Sequence, residues 1–197
     1  MIIADVSKAS LEEIVVELNS DLEKELTKKI PAGFTLTYPI LELEDGTMIS
    51  QTTAIAEYLS ETGAAPSLLG SSEVERSQVD QWMQFIRMHT LSLARTLSGS
   101  VFGHIQLTAA EYAYVAGLFK ENAKLLNNHL KGKLWIAGTA QPTIADYQLA
   151  ICLIELQQCV MDTNLRNSLN NLNDHFKKVA ALPEFQKRFG HIKQGKK

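Results

Sequence analysis

Residues 144–160 constrain this chain more than any other stretch. Thr143-Ile144-Ala145-Asp146 opens it with the spacing of a helix cap, Asp standing where Glu is usual, and the residues behind are apolar on nearly every side. A helix with one apolar stripe can lie on a surface, but one that is apolar all round must be enclosed. The chain therefore has to supply helices that surround it. From Glu73 onward it does: Val79, Trp82, Met83, Ile86, Thr90, Leu93 and Leu97 form one long stripe, which Ser98-Gly99-Ser100 is expected to end. Thr108-Ala109-Ala110-Glu111 is a second capping box, and Tyr112, Val115, Phe119, Ala123, Leu126 and Leu130 follow at helical spacing until Gly132. Trp135 and Ile136 lie in a short connection before Gly138. Beyond the central helix come an amphipathic piece carrying Leu165, Leu169, Leu172, Phe176 and Val179, and a last helix from Pro183 to Gly190.

The first third reads differently. Residues 2–6 have the composition of a short strand, and Ser10-Leu11-Glu12-Glu13 spells a capping box for a helix with Leu11, Ile14, Val15, Leu18 and Leu22 on its buried face. Lys28-Lys29-Ile30-Pro31-Ala32-Gly33 ends that helix. Residues 38–44 then read as strand, Asp45-Gly46 as a tight turn, and Thr47-Met48-Ile49 as the return strand. Ala54, Ile55, Tyr58 and Leu59 mark a helix closed by Gly63 and Pro66. The expected organisation is thus an αβ module over residues 1–63, a linker of Ala, Pro, Ser and Gly over 64–72, and an all-helical domain over 73–197.

Composition excludes several functions. At 197 residues and 45% hydrophobic the chain can build its own core, and 19 Lys plus Arg against 22 Asp plus Glu leave a net charge of -3, with no field to hold nucleic acid. Lys28-Lys29 and the closing run from Lys193 to Lys197 read as solvated charge. Cys152 and Cys159, seven apart on one helix face, are too distant along the axis to bridge, and suit a reducing compartment. His89, His104, His129, His175 and His191 lack the spacing of a zinc site and read as surface or cap residues. No apolar run reaches the ~18 residues of a membrane span. No secretory signal pattern is present at the start, so the cytoplasm is the expected location.

The order of elements resembles the glutathione-transferase fold, and individual motifs agree. Pro39 matches that superfamily's proline before a strand, normally cis. Asp45-Gly46 followed by Ser50-Gln51-Thr52-Thr53-Ala54-Ile55 resembles its strand-turn-helix near the ligand, and Ser77-Gln78-Val79-Asp80-Gln81-Trp82 the first helix of its second domain. Leu134-Trp135-Ile136-Ala137-Gly138 with Thr143 and Asp146 resembles its central capping box and hydrophobic staple, and Ala181-Leu182-Pro183-Glu184-Phe185 its proline-led last helix. The resemblance implies a mostly α (α+β) architecture: a thioredoxin-like module, here truncated because residues 25–39 have room for a strand or a helix but hardly both, on an all-helical domain. Within the superfamily the second domain is most similar to the N-terminal domains of the elongation factor 1 gamma family.

That resemblance implies a non-catalytic scaffold domain in translation, needing no cofactor, which pairs with a like fold or a translation-factor subunit. Two alternatives are a domain appended to the aminoacyl-tRNA synthetase complex and a working glutathione transferase. A transferase would need a thiol-activating side chain near the first helix, where only Ser7 and Ser10 stand, and Ser10 is better explained as a cap. The implied vestigial glutathione site is Ile40, Gln51 and Thr52. Asp162 and Arg166 are the implied interface, through a salt bridge to a partner.

Overall fold

The computed structural model of the chain describes residues 1–30 and 35–195. Pro31-Ala32-Gly33 of the expected helix stop, and Lys196-Lys197 of the expected solvated tail, lie outside the described residues. Two compact units emerge: Ile3–Ala65, and Pro66–Lys197 together with Met1–Ile2.

The smaller unit departs from expectation in its first thirty residues. The run expected as a strand is helix α1 (Ile2–Ser7). A five-residue apolar run does not distinguish strand from helix by itself, and among the described residues the two strands pair only with each other, leaving no third to decide the matter. The helix expected from Ser10 does not form, and Leu11, Ile14, Val15 and Leu18 are exposed rather than buried. Helix α2 instead occupies Asp21–Lys29, its cap being Ser20, whose hydroxyl accepts from Glu23 N–H at 3.2 Å. Ser20-Asp21-Leu22-Glu23 repeats the Ser-x-x-Glu box of Ser10. The β-branched Ile14, Val15 and Val16 behind Ser10 disfavour a helix, whereas α2 has Asp21 and Glu23 at its positive end and Lys28 and Lys29 at its negative one.

The hairpin is where the pattern put it. Strands β1 (Ile40–Glu42) and β2 (Met48–Ser50) run antiparallel with Leu41 opposite Ile49. Asp45 accepts from Thr47 N–H at 2.8 Å across a turn in which Gly46 takes φ +83°, a conformation that favours glycine. Helix α3 (Thr52–Thr62) follows and stops at Gly63. A side chain at Gly63 would collide with Ser7, whose carbonyl accepts from Ala64 N–H at 2.7 Å, so this glycine lets the ends of α1 and α3 meet.

The helical unit begins at Pro66, within the stretch read as linker. Pro66–Leu69 is a 3₁₀ turn that buries Leu68 and Leu69. Helix α4 (Glu73–Phe85), capped by Ser72, runs into a π-helical turn (Ile86–Thr90), where Leu91 N–H reaches back five residues to Ile86 C=O, and continues as α5 (Leu91–Val101). The extra residue rephases the stripe: Val79, Trp82, Met83, Ile86 and Thr90 are buried as expected, but Ala94 follows in place of the half-buried Leu93. Ser98-Gly99-Ser100 does not end the helix. Ile105 folds back onto Gly99, whose carbonyl accepts from His104 and Ile105 N–H, and the turn falls at Gly103 with φ +79°.

Helix α6 (Ala109–His129) carries its Thr108 and Glu111 capping box. Helix α7 (Ile144–Cys159) is the enclosed one, with Ala145, Leu149, Ala150, Leu153 and Leu156 at 0% exposure. The piece expected over Leu165 to Val179 is broken at Leu169 into α8 (Thr163–Ser168) and α9 (Asn170–Ala180). Helix α10 (Pro183–Phe189) ends at Gly190. No helix of the described residues is long and apolar enough to cross a membrane.

Candidate functional site

The residues implied for glutathione fall in the smaller unit. The Tyr38-Pro39 peptide is cis and leads into Ile40, half-buried in β1. Gln51 precedes α3 with φ +75° and ψ 123°, a strained conformation for any residue with a side chain, and its side chain makes no cap bond; Thr52 is exposed at the first helical position. Ser7 is 1% exposed and its hydroxyl donates to Ala4 C=O at 3.4 Å, so it faces its own helix rather than a ligand. Ser10 does face solvent. It lines an open cleft of about 440 Å³ with Ala9, Leu11, residues 41–45, Tyr58, Leu59 and Thr62.

Ile40, Gln51 and Thr52 are not among the residues of that cleft. The structure therefore does not gather the implied set around either serine. The cleft's charged residues are Glu42, Glu44 and Asp45, with no Lys or Arg in the lining. Backbone and side-chain hydrogen bonding to Thr47 holds the Asp45 carboxyl below the usual range, so it stays ionised. A ligand with two carboxylates and a thiolate would meet like charge there. Lys29 is occupied with Glu42 at 2.7 Å.

In the helical unit the polar centre is Asp146, at 0% exposure. One carboxylate oxygen accepts from Thr143 N–H and Thr143 hydroxyl, both at 2.8 Å, closing the capping box. The other accepts from Ile136 N–H at 2.8 Å and sits 2.7 Å from His175 Nε2. His175 is 2% exposed and corrects its sequence reading as a surface residue; Trp135 packs edge-on against it. A helix cap alone would not need α9, but here one carboxylate ties the connection before α7, the start of α7 and α9 together. Beside it, Tyr147 donates to Glu184 of α10, and burial followed by that carboxylate pushes its hydroxyl pKa upward. The groups near this centre have structural partners. Among the described residues no group of His, Cys, Asp and Glu could hold a metal ion.

Arg166 and Asp162 do not form an exposed pair. Asp162 is the cap of α8, accepting from Leu165 N–H at 2.7 Å, while Arg166 is 6% exposed and spends its guanidinium on carbonyls of its own chain. Burial leaves it nothing to offer a partner.

What the helical unit does expose is a groove of about 430 Å³. Phe85, Met88, His89, Ser92 and Leu93, from the end of α4 through the π turn into α5, form one wall, and Leu118, Asn122 and Leu125 of α6 the other. Met88 is 67% exposed and Leu125 47%, with Tyr114 further along α6 at 69%. Thr90 ties the two walls, donating to Asn122 at 3.0 Å. The sequence reading missed this face. Leu118 and Leu125, seven apart and off the buried stripe of α6, were its signal.

No family model matches the chain. Among solved structures, the GST-like domain of elongation factor 1-gamma from Saccharomyces cerevisiae superposes over 100% of this chain and 89% of its own, with TM-score 0.84 and 16% identity. A Gtt2-class glutathione S-transferase of Vibrio parahaemolyticus covers 94% of this chain and 88% of its own with TM-score 0.75 and 21% identity. The chain thus has the glutathione-transferase fold. Elongation factor 1-gamma from Artemia salina is 31% identical over 149 residues, 76% of this chain and 33% of that protein, and a probable elongation factor 1-gamma 1 from Arabidopsis thaliana is 26% identical over 186 residues, 92% and 44%. The chain is elongation factor 1-gamma-like, and it spans less than half the length of these curated relatives.

Proposed function

We propose that this chain is a non-catalytic assembly domain of the cytoplasmic translation machinery, acting as the corresponding region of an elongation factor 1-gamma subunit would. The observation that carries the reading is the open apolar groove between α4–α5 and α6, where Met88, Leu118 and Leu125 face water around a half-buried Phe85. Exposed side chains of this kind, gathered rather than scattered, mark a surface that another protein covers. The acidic cleft of the smaller unit supports the same reading from the other side, because it offers glutathione no cation and no free hydroxyl beyond Ser10. No cofactor is required. The partner is a like-folded chain or a subunit of the elongation factor.

Two measurements test this together. Glutathione titrated calorimetrically into the chain should give no saturable heat up to millimolar concentration. The unaltered chain should associate, with itself or with elongation factor subunits, in sedimentation, and Leu125→Lys should abolish that association while leaving the circular dichroism unchanged. Saturable glutathione binding that Thr52→Ala removes would restore the transferase and overturn the proposal.

A further inference from the structure

Helix α7 ends at Cys159 and leaves its last carbonyls without donors of their own helix. One of them, Gln157 C=O, accepts from two groups far along the chain: Arg166 Nη1 at 3.3 Å and Gly195 N–H at 3.0 Å. The other guanidinium nitrogen, Nη2, donates to Thr163 hydroxyl at 3.2 Å and to Gly195 C=O. Both main-chain groups of Gly195 are therefore held. The preceding residue is read as well, since Gln194 Nε2 donates to Gln157 Oε1 at 2.9 Å and to Asn173 Oδ1 at 2.8 Å.

The receiving side chains are a built site rather than a surface. Gln157 is 0% exposed and Arg166 and Asn173 are each 6%, and Gln157 and Asn173 are joined to one another at 3.3 Å. The site also selects by shape. A Cβ added at Gly195 would overlap the carbonyl oxygen of Gln158, a backbone atom that cannot step aside, so only glycine fits at that place. We propose that the corner between α7, α8 and α9 is a receptor for an extended Gln-Gly segment of polypeptide, occupied here by the chain's own Gln194-Gly195. Arg166 is its anchor, the carboxamides of Gln157 and Asn173 recognise the glutamine, and the Gln158 carbonyl excludes any side chain at the next position. Because the occupant is tethered close by after α10, it competes at an effective concentration of about millimolar, and another Gln-Gly segment gains access when it lets go.

The test uses the whole chain. In the unaltered protein, the Gly195 amide should exchange with deuterium at least about tenfold more slowly than in a free peptide, and Gly195→Ala should speed tryptic cleavage after Lys193 by about tenfold, the loss of about two modest hydrogen bonds. A labelled peptide, Ile-Lys-Gln-Gly-Lys, should bind the Gly195→Ala protein, measured by fluorescence anisotropy. The same peptide with Ala for Gly should bind at least about tenfold more weakly, consistent with the steric exclusion. Gly195 amides that exchange at the free-peptide rate in the unaltered chain would overturn the proposal. So would equal binding, or no binding, of the two peptides by a Gly195→Ala protein whose circular dichroism shows it folded.

Discussion

Replacing Asp146 with alanine should be among the most damaging single changes in the helical unit. The carboxylate serves Ile136 N–H, Thr143 N–H, the Thr143 hydroxyl and His175, all at 2.7–2.8 Å and all in a centre closed to water. Loss of an N-cap interaction costs about 1 kcal/mol, and each buried donor left without an acceptor about 1–3. Partial relaxation keeps the sum near the value for breaking a buried pair, about 4 kcal/mol. For a chain of this size that is a fall in Tm of about 8–16 °C. Urea titration followed by tryptophan fluorescence is the assay, because Trp82 and Trp135 are the chain's two tryptophans and both lie in the helical unit. Glu111→Ala is the control: it removes the same type of box from α6 at an exposed position, and should cost a small fraction as much. An Asp146→Ala midpoint shift worth less than about 1 kcal/mol would refute the claim that burial, rather than capping alone, sets the value of this carboxylate.

Gln51→Gly should leave the smaller unit as stable or raise its stability by about 1 kcal/mol in thermal unfolding, since glycine relieves a φ of +75°, whereas Gln51→Ile should lower it. In the native protein a thiol reagent at pH 8 should modify Cys159 well before Cys152, whose pKa burial raises to about 12; mass spectrometry of the labelled peptides reads the order. His129 should make stability fall as pH drops. Burial holds its folded pKa below the ordinary value, so the unfolded chain takes up the proton first, and the contribution present above about pH 6.5 is lost below it. Urea midpoints at pH 7.5 and 5.5 should therefore converge in a His129→Gln variant relative to the unaltered chain.

The helical unit was legible because its information is local and redundant. Each of the boxes at Thr108 and Thr143 names a helix start, and the all-round apolar pattern of α7 could be satisfied only at the centre of a bundle. The first thirty residues were not, because Ser10 and Ser20 offer the same box and only helix propensity and end charges separate them. The vestigial glutathione set was named from resemblance, and no local pattern reports whether Ile40, Gln51 and Thr52 share a cleft with Ser10. His175, Gln157 and Asn173 escaped for a related reason. A polar residue on a helix reads as surface until the chain elsewhere supplies its partner, and those partners lie 16 to 37 residues away.

The π turn at Ile86–Thr90 makes the length of this helix a discrete quantity. Removing one residue between Ile86 and Leu91 would let the turn close as ordinary α-helix, and everything after it would rotate by about 100° about the axis. Ala94, Leu97 and Ser98 would swing out of the core together, and Met88, Ser92 and Leu93 would no longer share a wall with Leu118. The five-residue turn is thus the phase setting of the helix. It allows one sequence to present a tight, small-residue side to α7 and an apolar, open side to whatever binds the groove, and single-residue deletions in it should be tolerated far less than substitutions.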